Sequence, residues 1–215
     1  MNNFSFHILC TSLGRESLGR LIDSFVNQLN ENDYFTIVSD GNHDFVEGVL
    51  STFNFKCKLN HIKNLNGPEG NFGHPLLNRH MNTLDGDFIM FADDDDRYVP
   101  DAFEYIRNTV TEKKLYIFKH KWGGTVNWAS KHFEVGNIGK CVGVIPNTKN
   151  LPLFHEDIFG DGIFYSDISK IFEYEFIDKI IYKVKKNIGH PKKLQTHNFC
   201  VSCPKVKFLR IFETR

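Results

Sequence analysis

Apolar positions along the chain fall into a repeating series. Residues 4–10 form a short apolar run, the polar stretch Thr11-Ser12-Leu13-Gly14-Arg15 follows, and Leu18, Leu21, Ile22, Phe25, Val26 and Leu29 then recur at helical spacing. The strand, loop and helix unit repeats: 34–39 is a β-rich run closed by Asp40-Gly41-Asn42, and Phe45, Val46, Val49, Leu50 and Phe53 mark one face of a helix. Residues 55–62 alternate as a third strand, Pro75 opens a helix over 76–84, and 88–92 is a short apolar strand. After Pro100 a helix is expected over 101–111. The pattern then changes: 115–119, 142–145 and 180–184 are strand-like among segments bearing Trp122, Gly123, Gly124 and Trp128. Such alternation predicts an α/β fold with a mostly parallel central sheet flanked by helices, extended by a mixed portion.

Composition narrows the class without changing that picture. With 215 residues, 41% apolar and 24% charged, the chain excludes disordered and fibrous classes. A single domain is expected over 1–215, with a division of labour between 1–111 and 112–215 and room for further domains in a longer protein. The 26 basic residues balance the 26 acidic ones, which argues against a nucleic-acid partner. The balance is uneven, however, because nine Lys or Arg stand against Glu213 alone from Lys183 onward. That basic end suits an anionic partner, including peripheral contact with a membrane surface. Five scattered cysteines fit a reducing compartment, and Cys200-Val-Ser-Cys203 is half a zinc site with nothing to complete it. No signal-like start and no long apolar run is present, so a cytoplasmic location is expected.

The sharpest chemistry lies at Phe88-Ile-Met-Phe-Ala-Asp-Asp-Asp-Asp-Arg97, an apolar strand ending in four acids. Adjacent carboxylates repel one another, and their place at a strand end invites a hard cation such as Mg²⁺, Mn²⁺ or Ca²⁺. In open α/β sheets ligands bind beyond the carboxyl ends of strands, where Thr11-Ser12, Asp40-Gly41-Asn42 and the loop Gly67-Pro-Glu-Gly-Asn-Phe-Gly-His74 also fall. That loop lacks the Gly-Lys-Ser/Thr of a phosphate-binding loop and the spacing of a dinucleotide fingerprint.

This ordered set resembles the nucleotide-sugar glycosyltransferases of the GT-A fold, above all the large inverting family 2 type with an Asp-X-Asp motif. The segments that carry the likeness are Phe4-Ser-Phe-His-Ile-Leu-Cys-Thr-Ser12, Ile37-Val-Ser-Asp-Gly41, and Asn78-Arg79 through Gly86-Asp87-Phe88-Ile89-Met90-Phe91-Ala92-Asp93-Asp94-Asp95-Asp96-Arg97-Tyr98-Val99-Pro100. The resemblance implies Asp40 at the base of a nucleotide, Thr11, Ser12 and Arg15 in the first loop beside it, and Asp93 near the ribose with Asp94 as its neighbour. It further implies Asp95, with Asp93, on Mn²⁺ or Mg²⁺, and Arg79 toward the phosphates. A UDP-sugar donor and a glycan, glycoprotein or lipid acceptor are the implied substrates.

An inverting transfer also needs a base for the acceptor hydroxyl. Asp161, in Gly160-Asp161-Gly162-Ile163-Phe164, fits the family pattern best, with Glu156 and Asp157 as alternatives. His190 is a candidate metal ligand, and Trp122 and Trp128 are candidate acceptor platforms. Two other readings stay open: a sugar-1-phosphate nucleotidyltransferase, although Thr11-Ser-Leu-Gly-Arg15 lacks a glycine-rich pyrophosphate loop, and a non-catalytic carbohydrate- or Ca²⁺-binding module. The acid run does not match an EF-hand, lacking its glycine and its closing glutamate.

Overall fold

The computed structural model describes residues 3–128, 131–133 and 136–185. At its centre β1 (Phe6–Ser12) runs parallel to β2 (Tyr34–Ser39) on one side and to β4 (Phe88–Asp93) on the other, and β3 (Lys58–Lys63) adds to β2 in the same sense. Helices α1 (Leu18–Phe25), α2 (His43–Ser51) and α3 (His74–His80) lie on the crossovers between these strands. Strands β1, β2 and β4 are buried at almost every position, which is why their sequences are continuous apolar runs and not alternating ones. The edge strand β3 is mostly exposed and correspondingly polar.

Past β4 the sheet changes character. Strand β5 (Arg97–Tyr98) and helix α4 (Ala102–Thr109) lead to β6 (Leu115–Trp122), which turns back as the hairpin strand β7 (Thr125–Asn127). Strand β8 (Gly143–Pro146) inserts antiparallel between β4 and β6. Helix α5 (Gly160–Ile168) then leads to β9 (Tyr174–Val184), which pairs with β6 in parallel and with β5 antiparallel. The order across the sheet is β3-β2-β1-β4-β8-β6-β9-β5, with β7 on β6, so one sheet spans both halves of the described chain.

Several elements depart from the sequence pattern. The third strand begins at Lys58, because Phe55 turns to pack on Phe35 and Phe53 before the strand starts. Helix α3 stops at His80, and a short 3₁₀ turn covers 81–83. Strand β9 is 11 residues long, more than twice the expected stretch, since its first residues are largely exposed and carry little apolar signal.

Parallel pairing places the ends of β1, β2 and β4 on one edge. Thr11 sits opposite Asp93 and Val38, and Ser12 opposite Ser39, the residue before Asp40. The acids at these strand ends share an edge through register alone.

Candidate active site

A cavity of about 730 Å³ opens along that edge, a size suited to a small-molecule ligand. The first half contributes Thr11, Ser12, Arg15, Asp40 and Asp93 to Asp96, and the second half contributes His120, Trp122, Lys140, Asp157 and Asp161. The 70–74 stretch of the glycine loop lies between them. At Gly73, where φ is +75°, a Cβ would stand 2.3 Å from Thr11 Oγ1, so the loop backbone can lie on β1 only with glycine there.

Each acid at the edge has a partner, and Arg15 serves two of them. Asp94 is buried and accepts from Ser12 Oγ at 2.7 Å, the Leu13 N–H at 3.2 Å and Arg15 Nη1 at 2.9 Å. Burial pushes its carboxyl up, against the downward pull of Ser12 and Arg15. Arg15 also reaches Asp95 at 3.3 Å. Asp93 pairs with Lys140 Nζ at 2.6 Å, and the same ammonium donates to the Phe72 carbonyl at 3.2 Å. Burial opposes the Lys140 charge, but Asp93 and Asp161 outweigh it and raise the ammonium above its ordinary range. Asp96 accepts from the Lys185 N–H at 2.8 Å, and burial, followed by the Asp93 charge, pushes it up to about 8. Asp40 is buried and accepts from Asn64 Nδ2 at 2.7 Å and from the Glu69 N–H at 3.0 Å, which anchors the glycine loop over it.

Across the cavity Asp161 lies in the first turn of α5, where the helix dipole favours an anion. Its Oδ2 accepts the Lys140 N–H at 3.0 Å, and its buried Oδ1 has no hydrogen-bond partner among the described residues, with His74 Nε2 3.3 Å away. Burial pushes the Asp161 carboxyl up, but His74 and Lys140 together bring it below the usual range.

The structure thus gathers Thr11, Ser12, Arg15, Asp40, Asp93, Asp94, Asp95, Trp122, Asp157 and Asp161 around one cavity. Arg79 is not on its wall: it pairs with Glu69 at 2.8 Å instead of facing the phosphate position expected of it. Glu156 also stands off the wall and accepts from Asn71 Nδ2 at 3.3 Å. Trp128 corrects the expectation of an acceptor platform, since it is buried, donates its indole N–H to the Phe118 carbonyl at 2.8 Å and packs on Phe176. Trp122 remains exposed at the rim. His190 and the basic stretch from Lys186 onward lie outside the described residues.

Sequence reasoning missed His74, His120 and Lys140. Lys140 carries no local signal, because its role arises from contacts across the sheet. Among the described residues His120 Nδ1 is buried without a partner, and burial lowers its imidazole to about 4.

Among the described residues, no three His, Cys, Asp or Glu side chains are grouped to hold a metal by themselves. Asp93 and Asp95 nevertheless supply hard oxygens, and one or two carboxylates completed by substrate phosphates is how Mg²⁺ is commonly held. The donor chemistry fits such an ion. No helix among the described residues is long and apolar enough to cross a membrane.

Known proteins place this architecture. The S. aureus TarS 1-349 structure in complex with UDP-GlcNAc superimposes with a TM-score of 0.70 at 15% identity, covering 87% of this chain and 60% of that one. The mannosyltransferase PcManGT from Pyrobaculum calidifontis, in complex with GDP-Man and Mn²⁺, gives 0.64 at 9% identity, covering 83% and 56%. This chain therefore spans about 60% of the TarS chain or less, and at these identities the likeness establishes the GT-A fold. A search of curated proteins finds no match. The profile described as Glycosyl transferase family 2 matches residues 8–160, from β1 to the first residue of α5, and the chain belongs to that family.

Proposed function

We propose that the protein is a metal-dependent, inverting glycosyltransferase that moves a sugar from a nucleoside diphosphate, UDP above all, to a hydroxyl on a glycan, glycoprotein or lipid. The observation that carries this reading is the meeting of Asp40, the 93–96 acids and Asp161 around one cavity in a chain of this family. The TarS complex with UDP-GlcNAc supports a UDP-sugar, and the PcManGT complex with Mn²⁺ supports a divalent ion.

In this mechanism Asp40 and the β1 loop receive the nucleoside, and Arg15 flanks its phosphates. Mn²⁺ or Mg²⁺ held by Asp93 and Asp95 would neutralise the charge that develops on the departing diphosphate. The acceptor oxygen bonds to the anomeric carbon as the carbon–oxygen bond to the diphosphate breaks, and that electron pair stays with the diphosphate. Asp161 takes the hydroxyl proton. Its depressed proton affinity keeps it ionised and ready at neutral pH. Trp122 at the rim offers an aromatic face to an acceptor sugar.

The test is thermal stability with UDP, GDP, dTDP and CMP, each with Mn²⁺ or EDTA, on wild type and Asp95→Asn. A ligand at 100 times its Kd adds about 2.7 kcal/mol. A rise with UDP that needs both Mn²⁺ and Asp95 is expected, and Asp161→Asn should keep that rise while losing about 10²–10⁴-fold in transfer rate. No rise with any nucleotide would overturn the donor site, and a product that keeps the donor's anomeric configuration would overturn inversion.

A further inference from the structure

Asp161 is not held by its own helix alone. His74, at the start of α3, comes from the other half of the molecule, its side chain 3% exposed, and its ring stacks on Phe154 with centroids 5.0 Å apart. Its Nδ1 stands 2.7 Å from the His155 carbonyl oxygen, which can only accept, so Nδ1 carries a proton. The other nitrogen, Nε2, faces Asp161 Oδ1 at 3.3 Å. With Nδ1 committed to the carbonyl, attraction between Nε2 and the carboxylate requires a second proton on the ring or one on Asp161.

The room for this pair comes from Gly160. A Cβ at that position would lie 2.2 Å from the His155 carbonyl oxygen and 2.7 Å from His74 Cε1, so any larger residue expels the ring or the carbonyl that orients it. Gly160 has no left-handed backbone angle to account for its glycine. Its missing side chain is the space the imidazole edge uses.

We propose that His74 is the positioning residue of Asp161: seated in the space left by Gly160 and fixed by the His155 carbonyl, it orients the carboxylate and keeps it ionised for proton removal. This rests on the assignment of Asp161 as base. The other groups facing Asp161 are Lys140, through its N–H and its charge, the uncharged His120, and the neutral Cys141 and Tyr165. Of these Lys140 alone shares with His74 the holding of the anion, and it is bound to Asp93 at the same time.

The pairing can be read directly from the ¹³C shift of the Asp161 carboxyl, identified by its absence in Asp161→Asn, titrated in wild type, His74→Asn and His74→Phe. Asn can still donate to the His155 carbonyl, and Phe keeps the stacking on Phe154, so at least one variant should fold. Loss of the imidazole should raise the Asp161 midpoint by about 1 pH unit or more, and the acid limb of kcat should move with it while the donor KM stays constant. A midpoint and acid limb equal to wild type in a folded variant would overturn the role of His74. Nucleotide binding by wild type is scored separately: its absence would refute the transfer reading, while the carboxyl midpoint still decides whether His74 controls Asp161.

Discussion

The two sides of the cavity hold their acids in different ways. On the parallel side two acids are secured by the edge they belong to, Asp94 by Ser12 at the end of β1 with Leu13 and Arg15 after it, and Asp40 by Asn64 and Glu69 after β3, while Asp93 and Asp96 are reached by Lys140 and Lys185 from the mixed side. On the mixed side Asp161 depends on residues distant in the chain, the Lys140 N–H before β8 and His74 at the start of α3. Lys140 joins the two sides, its ammonium on Asp93 and its N–H on Asp161. The edge proposed for the donor is a product of strand register, whereas Asp161, the proposed base, is placed by long-range packing. Damage to packing should therefore disturb proton transfer before it disturbs nucleotide binding.

The largest expected effect breaks that link. Lys140→Met removes the ammonium from Asp93 and leaves its carboxylate without a cation in a largely enclosed site. Breaking a buried pair costs about 3–5 kcal/mol, and the partial exposure of Asp93 favours the lower figure. A fall in Tm of roughly 6–12 °C should follow, measured by calorimetry. Adding Asp93→Asn should recover part of it, because the unpaired charge is then gone. A single variant as stable as wild type would mean that water already screens the pair, and the two sides would be energetically independent.

A second prediction compares the sides through two histidines. Burial lowers His7, on β1, and His120, on β6, each to about 4. In the folded protein both stay neutral below pH 6.5, while the unfolded chain takes up the protons. Their stabilising contribution is therefore complete above pH 6.5 and lost as pH falls toward 4, about 3 kcal/mol for each. His7→Gln and His120→Gln should each remove about half of that pH dependence in denaturant titrations. Trp122 and Trp128 both report on the mixed side, so fluorescence can be compared with far-UV circular dichroism. Coincident transitions are expected of one shared sheet. Separate transitions, with His7→Gln changing only the dichroism, would divide the molecule into two cooperative units.

The same contrast explains what could be foreseen from the amino acids. Strands β1, β2 and β4 are enclosed on both faces, so their apolar runs were visible, and the acids following them could be assigned to one edge without coordinates. Strand β9 begins with exposed residues, and α5 starts at a glycine without a side-chain cap, so neither left a strong pattern. Family likeness pointed to Asp161, but nothing in the sequence pointed to its partners. His74 meets the His155 carbonyl from 81 residues away, and Lys140 meets Phe72 from 68. Trp128 misled for the opposite reason: an aromatic between glycine-bearing segments can serve a sugar or a core, and only its buried N–H on Phe118 decides.

The smallest effect concerns Arg79, which the family likeness directed toward phosphates and the fold directs to Glu69. Its side chain is 46% exposed, and ion pairs of that exposure contribute about 0.2–1 kcal/mol. Arg79→Ala should thus lower stability by less than 1 kcal/mol and leave the UDP affinity within about twofold of wild type, as read by calorimetric titration. A tenfold loss of affinity would require about 1.4 kcal/mol of lost contact. That outcome would mean that Arg79 leaves Glu69 when the donor binds. Glu69 holds Asp40 through its backbone N–H, so such a movement would release the Glu69 side chain within the loop over Asp40. The parallel side would then be the adaptable one, and the contrast with Asp161 would reverse.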